Sequence, residues 1–258
     1  MFGKREGCAL VIEIKKEKPC CEGEASQFAD CMVCGKPLVY WNEARRLRCS
    51  ICGREFDASC ACEDGHFVCD ACHEAGSAAF FLPYLLASRE KDPLRLFEEV
   101  VALPKVHMHG PEHHAIVPCV LLTAYRNNGG ELDPDKALRE ALRRASQVPG
   151  GSCGYWGVCG SAAGAGIYMS VLLGSNPLHK EAWPFPIRMS GECLRAISEC
   201  GGPRCCKRTC RLSITRAAEL TREWLGVDMP CGEVTCRHFT QNRECIGVAC
   251  PYFPRENS

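Results

Sequence analysis

Residues 31–53 read CMVCGKPLVYWNEARRLRCSICG, and this stretch decides the architecture of the first part of the chain. It holds two Cys-x-x-Cys-Gly motifs, Cys31–Cys34 and Cys49–Cys52, separated by fourteen residues. A Cys-x-x-Cys pair wraps one tight turn around a tetrahedral ion, and the glycine lets the backbone direct amides at the sulfurs. We expect the two motifs to supply the four thiolates of one closed structural zinc site.

A second set of candidate ligands follows directly, with His73 next to it in sequence. Its members are Cys60, Cys62, His66, Cys69 and Cys72. A second zinc ion needs four ligands, and the favoured set is Cys62, Cys69 and Cys72 with either Cys60 or His66. A cross-braced arrangement with shared pairs is the alternative, because spacing alone does not assign the pairing. Both arrangements predict a module with two structural zinc ions, which is suited to binding a protein partner.

The composition favours metal binding throughout the chain. Twenty-three of the 258 residues are cysteine, and a chain of this length with 46% hydrophobic residues builds a core without disulfide staples. No apolar run reaches a membrane span of about 18 residues, and no signal peptide is recognisable. We therefore expect a cytoplasmic, reduced protein whose thiols bind metals. The net charge of zero argues against nucleic acid as a partner.

The cysteine pattern and the hydrophobic periodicity divide the chain into three parts. We expect an N-terminal extension (1–28), a zinc-binding module (29–74) and a helical cysteine-rich domain (75–258). Asp92-Pro93 and Asp133-Pro134 each predict a helix start, and further helices are predicted over 114–126, 161–173, 190–199 and 209–225. The predicted fold is mainly α: a helical C-terminal domain with a small N-terminal zinc-ribbon-like β module.

A histidine-rich segment, HMHGPEHH at residues 107–114, precedes the helix of residues 114–126. Four of the eight histidines lie in it beside Glu112. Imidazoles with a carboxylate bind transition metals or move protons near neutral pH. We predict that Glu112 and His113 act as acid and base and that His109 is a metal ligand. The structural alternative is that these histidines only cap the helix.

A glycine-rich segment, PGGSCGYWGVCGS at residues 149–161, leads into another helix. Its Cys153 and Cys159 are predicted to ligate a metal cluster, or one of them is a nucleophile. Glycines allow close backbone approach, and a helix N-terminus favours an anion or a thiolate. The small residues that follow are equally explained by tight helix packing.

A third segment, GGPRCCKRTCR at residues 201–211, places neighbouring cysteines among cations. Positive neighbours and a helix start lower the pKa of a thiol. We therefore predict reactive or ligating thiolates at Cys205 and Cys206. The three cations Arg204, Lys207 and Arg208 would bind an anionic small-molecule substrate. A solvated basic helix face is the alternative.

The last part of the chain carries four further cysteines, Cys231, Cys236, Cys245 and Cys250, the last followed by Pro251. Thiolates without Cys-x-x-Cys knuckles and with a terminal Cys-Pro favour iron–sulfur ligation, and we predict a [4Fe–4S] cluster here. A second kind of zinc site is the alternative, with His238 as a substitute ligand. Three cysteines fit no site: Cys8, Cys20 and Cys21. Three others fit a core: Cys119, Cys193 and Cys200.

Six segments together carry a family resemblance: CMVCGKPL, GHFVCDACH, HGPEHH, PGGSCGYWGVCG, GGPRCCKR and NRECIGVACP. The chain resembles a cysteine-rich family of anaerobic archaea and bacteria that is catalogued as a domain of unknown function. The resemblance extends from Cys31 to Pro251. It implies that the three segments and the cysteine tail belong to one unit and form one site. The glycine-rich loop also resembles, over a short stretch, those of iron–sulfur serine dehydratases and cysteine desulfidases.

Three functions remain open from the sequence. The first is an iron–sulfur enzyme of anaerobic redox or sulfur metabolism, acting by elimination, desulfuration or sulfur transfer as a lyase or sulfurtransferase. Its cluster would be held by some of Cys153, Cys159, Cys205, Cys206, Cys236, Cys245 and Cys250. The second is a non-catalytic redox, sensor or metal-delivery protein. The third is an RNA-linked thiolation factor, against which the neutral net charge counts.

Overall fold

The computed structural model describes residues 31–103 and 105–255. The predicted N-terminal extension, with Cys8, Cys20 and Cys21, lies outside the described residues. Within them the chain is mainly helical, with one small two-stranded sheet near its start. The predicted fold class is therefore confirmed. No helix in the described ranges is both long and apolar enough to cross a membrane.

The N-terminal part, which we call the head, is built on one hairpin. Strands β1 (Leu38–Arg48) and β2 (Glu55–Cys62) pair antiparallel, with Leu38 opposite Cys62 and Arg48 opposite Glu55. Residues with β-branched and aromatic side chains favour the strand conformation at its start. One Cys-x-x-Cys motif precedes β1 and the other lies in the turn before β2. The hairpin therefore holds the two motifs at its opposite ends.

The rest of the described chain, which we call the body, consists of helices. They are α1 (Asp70–Ala87), α2 (Pro93–Val101), α3 (Glu112–Asn127), α4 (Pro134–Ala145), α5 (Ser152–Tyr155), α6 (Gly160–Leu172), α7 (Pro184–Cys200) and α8 (Cys206–Leu225). Two short 3-10 turns follow, Phe239–Gln241 and Gly247–Ala249. Helix α1 begins inside the expected zinc module and continues past residue 74, so head and body share this helix.

Two helix starts follow the predicted capping chemistry. The carboxylate of Asp92 accepts hydrogen bonds from the backbone N–H groups of Leu94 and Arg95 at the start of α2. Asp133 accepts one from the N–H of Lys136 at the start of α4. Each aspartate satisfies amides that have no partner inside the helix, and the proline after it already has the helical φ angle.

Helix α3 is the centre of the body and contacts α1, α2, α4, α6 and α8. Its residues from Glu112 to Ala124 are all buried. Helix α6 approaches it closely at Gly164, where a Cβ atom would lie 2.7 Å from the carbonyl oxygen of His114. The small residues of α6 therefore serve helix packing, which was the structural alternative for this segment.

Helices α3 and α8 begin earlier than the sequence predicts. Helix α3 starts at Glu112 rather than at 114, and α8 starts at Cys206 rather than at 209. The polar side chains that were expected in the preceding loops therefore lie in the first turns of these two helices. The backbone N–H groups there have no partner inside the helix and can donate hydrogen bonds to them. This shift places the candidate functional residues in rigid positions against the core.

Candidate metal centres

The first metal centre of the head joins the first Cys-x-x-Cys motif to the end of β2. The ligand atoms of Cys31, Cys34, Cys62 and His66 all lie within 4.8 Å of one another. The sulfurs of Cys34 and Cys62 are 3.7 Å apart. Two thiolates that bind one tetrahedral zinc ion at about 2.3 Å each stand about 3.8 Å apart. The spacing therefore fits one ion.

The second centre joins the second motif to the start of α1. Its ligand atoms belong to Cys49, Cys52, Cys69 and Cys72, again within 4.8 Å of one another. The sulfurs of Cys52 and Cys69 are 3.8 Å apart. Cys69 is the N-cap residue of α1 and Cys72 lies in its first turn, so the positive end of the helix dipole faces the thiolates.

The backbone of both motifs is folded for thiolate binding. Gly35 and Gly53, with φ angles of 73° and 70°, each donate a hydrogen bond to the carbonyl of the motif's first cysteine. A backbone N–H of Arg54 lowers the pKa of Cys52 to about 6. Burial raises the pKa of Cys62, but the N–H of His66 and neighbouring thiols outweigh it, and the result is about 7. Cys52 and Cys62 are thus favoured as thiolates, the form that binds metal. At Cys34 a hydrogen bond from the N–H of Lys36 is instead outweighed by burial and neighbouring thiols, which raise its pKa to about 11, and burial and neighbouring thiols also raise the pKa of Cys72 to about 12.

The two centres are cross-braced, and the expected first site of Cys31, Cys34, Cys49 and Cys52 is wrong. The reason is the hairpin, whose length separates the two motifs. The favoured second set is wrong for the same reason, because Cys62 and Cys69 belong to different centres. Cys60 lies on β2 outside both groups, and His66 is the fourth ligand of the first centre.

A third group of cysteines lines one small cavity in the body. Its members are Cys205, Cys236, Cys245 and Cys250. Of these, Cys236, Cys245 and Cys250 were predicted as ligands in the tail. Cys231 is not among the lining residues; it is exposed, and the following amide N–H of Gly232 binds Asp92 at 2.7 Å. Cys205, placed by the sequence in a catalytic role, takes its place in the cavity.

Three of these four sulfurs accept backbone N–H groups. Arg208 N donates to Cys205, His238 N to Cys236, and Gly247 N to Cys245, at 3.4 to 3.5 Å. Such bonds stabilise thiolates. Among the described residues, the tight grouping seen in the head is absent here, so the four sulfurs surround a space rather than one point. His238, the predicted substitute ligand, lines the same cavity.

Two arginines in the same cavity have polar atoms without partners. The side chain of Arg211 is fully buried and forms a two-point ion pair with Glu98, at 2.7 and 3.0 Å. Its Nη1 atom and the Nε atom of Arg208 are buried without a hydrogen-bond partner. The sequence did not single out Arg211, because a helical arginine carries no spacing signal. These two unpartnered N–H groups lie beside thiols, where they can donate to an anionic group in the cavity.

The three predicted substrate-binding cations have different surroundings. Lys207 is 1% exposed and its Nζ contacts the carbonyl of His107 at 2.7 Å and Nε2 of His113 at 3.0 Å. Arg208, also buried, donates to the carbonyls of Gly201 and Pro203. Neither side chain is open to a substrate from solvent. Arg204 is partly exposed and therefore remains the one candidate of the three.

Arg204 lies at a contact between the head and the body. Its Nη1 donates a 2.7 Å hydrogen bond to the hydroxyl of Tyr40 on β1. Its positive charge opposes the rise in pKa that burial causes at Cys60, Cys153 and Cys206. Arg204 is thus close enough to thiols from the head, the glycine-rich segment and the start of α8 to act on their charge. Cys153 and Cys159 do not line the four-cysteine cavity.

The histidines of residues 107–114 have separate positions. His109 Nε2 lies 3.1 Å from Asn242 Oδ1, and this contact ties the segment to the tail. His113 is buried, with Nδ1 3.1 Å from the carbonyl of Gly110 and Nε2 at Lys207. Burial, reinforced by the charge of Lys207, holds the pKa of His113 well below its ordinary value. His114 contacts the carbonyl of Val148. Glu112 is fully buried next to them.

Comparison with known proteins adds a family and no activity. A family model described as "Family of unknown function (DUF5714)" matches residues 82–253. The matched range contains the four-cysteine cavity and the segment of residues 107–114, and it begins after the ligands of the head. No curated protein and no solved structure matches the chain.

Proposed function

The chain belongs to DUF5714, a family of unknown function, and we propose that it is an iron–sulfur enzyme of anaerobic redox or sulfur metabolism with a zinc-bound head. The observation that carries this proposal is the cavity lined by Cys205, Cys236, Cys245 and Cys250. Its four thiols, its N–H···S bonds and its unpartnered arginine atoms suit the chemistry of a [4Fe–4S] cluster, but the cavity has room for only about one water molecule, so its walls must move apart to admit the cluster. When bound, such a cluster supplies one-electron redox chemistry.

The residues of the cavity each have a definite task in this proposal. The four cysteines bind iron through their sulfurs, and the amides of Arg208, His238 and Gly247 stabilise the sulfur charge. Arg211 and Arg208 offset the remaining negative charge at short range. A cluster held by four cysteines has no corner free for substrate, so this arrangement favours redox chemistry over elimination at an open iron.

The contact between head and body at Arg204 is the proposed substrate site. No carboxylate of the described residues lies within ion-pair distance of its guanidinium, which is bound to the Tyr40 hydroxyl. A guanidinium without a paired carboxylate binds anions through directed N–H groups. Cys153 and Cys206 stand close enough to feel its charge. We therefore propose a small anionic substrate, with sulfur chemistry at these thiols.

The proposed iron–sulfur cluster is tested by purifying the full chain anaerobically. Iron, zinc and acid-labile sulfide are then measured, and an absorption spectrum is recorded. We expect about four iron and four sulfide atoms per chain, together with zinc in the head. Cys205→Ser should lose most of the iron and sulfide. The matched control Cys231→Ser should retain both, because Cys231 does not line the cavity. Zinc without iron or sulfide would refute the cluster, and equal iron loss in both variants would refute this ligand set.

The substrate site is tested with small anions of known chemistry. Sulfite, thiosulfate and cysteine should each be screened for a rise in melting temperature. We expect at least one to stabilise the wild type and to lose this effect in Arg204→Gln. Arg195→Gln, an exposed change in α7, should respond like the wild type. If no anion raises the melting temperature of the wild type more than that of Arg204→Gln, Arg204 does not form an anion site.

A further inference from the structure

Three donor atoms from separate parts of the chain meet beside the start of α3. They belong to His73 in α1, His107 in the loop before α3, and Glu112, the first residue of α3. One nitrogen of each ring and one carboxylate oxygen all lie within 4.8 Å of one another. The sequence placed His73 next to the zinc ligands and gave His107 no role, so only the fold brings this group together.

Packing alone does not explain these atoms, because the protein leaves each of them unsatisfied. Nδ1 of His73, Nδ1 of His107 and Oε2 of Glu112 are buried without a hydrogen-bond partner. His73 Nδ1 lies 2.9 Å from Glu112 Oε2 and His107 Nδ1 lies 3.5 Å from Glu112 Oε1. Both distances are within ion-pair range, but neither contact aligns as a hydrogen bond. An unpaired buried polar atom is unfavourable because it has lost its hydrogen bonds to water. Three of them pointing at one place indicate a ligand.

The surrounding residues fix the orientation of the donors. Oε1 of Glu112 accepts the backbone N–H of His107 at 3.0 Å, so the carboxylate is held and Oε2 is left for a ligand. Lys207 Nζ binds the carbonyl of the same His107 at 2.7 Å. Gly110 passes so close that a Cβ atom there would collide with Glu112 Oε2 and the ring of His73. Outer contacts of this kind orient metal ligands in known sites.

We propose that His73, His107 and Glu112 bind one divalent transition-metal ion, ferrous iron or zinc. Two imidazoles and one carboxylate are the donors of open iron and zinc sites, which keep positions for water or substrate. The closed thiolate centres of the head have no such positions. The side chains of His73 and His107 are 14% and 20% exposed, so solvent reaches the edge of the site. None of its ligands lines the four-cysteine cavity, and the proposal does not rest on the cluster.

The test uses Mn²⁺ as a probe, because this ion prefers imidazole and carboxylate over thiolate and so avoids the cysteine sites. The full chain, purified anaerobically and treated briefly with a chelator, is titrated with Mn²⁺ and bound ion is measured by electron paramagnetic resonance. We expect one tight site per chain. Glu112→Gln and His107→Gln should weaken binding by about 100-fold or more. The matched control His109→Gln, in the same segment but outside the group, should bind as the wild type does.

The identity of the native ion and the folding of the variants are measured in parallel. Metal analysis of untreated protein should show one iron or zinc more in the wild type than in Glu112→Gln, and the element that differs identifies the ion. Zinc in the head and the melting temperature report whether each variant is folded. The proposal is overturned if folded Glu112→Gln has the same metal content and Mn²⁺ affinity as the wild type, or if the wild type shows neither.

Discussion

The sulfur of Cys34 lies 3.7 Å from the sulfur of Cys62, which is twenty-eight residues further along the chain. The contact connects the first Cys-x-x-Cys turn to the end of β2, where Cys62 pairs with Leu38. The other end of the same hairpin carries Cys49 and Cys52. Each metal ion of the head would therefore fix one end of β1–β2, and the second ion would also tie the hairpin to the start of helix α1 through Cys69 and Cys72.

The first prediction concerns which cysteines of the head bind zinc. Cys34→Ser should reduce the zinc content of the protein by one ion per chain, because serine replaces one ligand of a four-ligand site. Cys60→Ser is the matched control, since Cys60 lies on β2 outside both groups. Zinc content measured by mass spectrometry separates the variants. If Cys60→Ser loses zinc and Cys34→Ser does not, this set of ligands is contradicted.

The sequence predicts the local parts of the head but not their partners. A Cys-x-x-Cys-Gly turn is determined by five neighbouring residues, so both motifs could be recognised from the sequence alone. Which turn joins which later ligand depends on the length and register of β1 and β2, with Leu38 opposite Cys62. No spacing rule contains that register. The cross-braced alternative could be stated but not selected.

The body shows the same division between local and long-range information. The caps at Asp92 and Asp133 are local and were predicted from two-residue signals. Cys205 is separated from the tail by the whole of α8, so the sequence offers it as one of seven possible cluster ligands, and the packing of α8 selects it. His73 and Glu112 are likewise far apart in sequence and 2.9 Å apart in space. Spacing therefore found the segments and packing selected the residues.

The second prediction concerns the buried ion pair at the cavity. Glu98→Gln removes the charge that pairs with the fully buried side chain of Arg211. We expect unfolding to become easier by about 2 kcal/mol, since hydrogen bonds to charged groups contribute more than neutral ones. Glu219→Gln, which breaks an exposed pair with Arg216, should cost less than about 1 kcal/mol. Denaturant unfolding measures both, and equal effects would show that Arg211 does not depend on Glu98.

The third prediction concerns thiol reactivity in the native protein. Cys153 is exposed, so iodoacetamide should label it without unfolding. Although the residue is exposed, the protein partly surrounds its sulfur, and this desolvation raises its pKa. Its labelling rate should therefore still increase at pH values where the rate of an ordinary thiol no longer changes. Cys193 is fully buried, and burial raises its pKa to about 12. It should react only as fast as the protein opens. Peptide mass spectrometry gives both rates, and a protected Cys153 would support the alternative that it ligates a metal.

The fourth prediction concerns the close contact between helices α3 and α6 at Gly164. In Gly164→Ala, the new Cβ would lie 2.7 Å from the carbonyl oxygen of His114 and 2.9 Å from Cδ of Pro118. Both atoms belong to α3, which cannot yield like a flexible side chain, so the helices must separate. Overpacking of this kind costs about 1–3 kcal/mol, which would lower the melting temperature by several degrees. Gly191→Ala in α7 meets nothing within 4 Å and should instead stabilise by up to about 1 kcal/mol, because alanine favours helix. Opposite shifts of the two variants in thermal unfolding would establish the close approach of α3 to α6. A Gly164→Ala protein as stable as Gly191→Ala would contradict it, because the carbonyl of His114 would then have room for a methyl group.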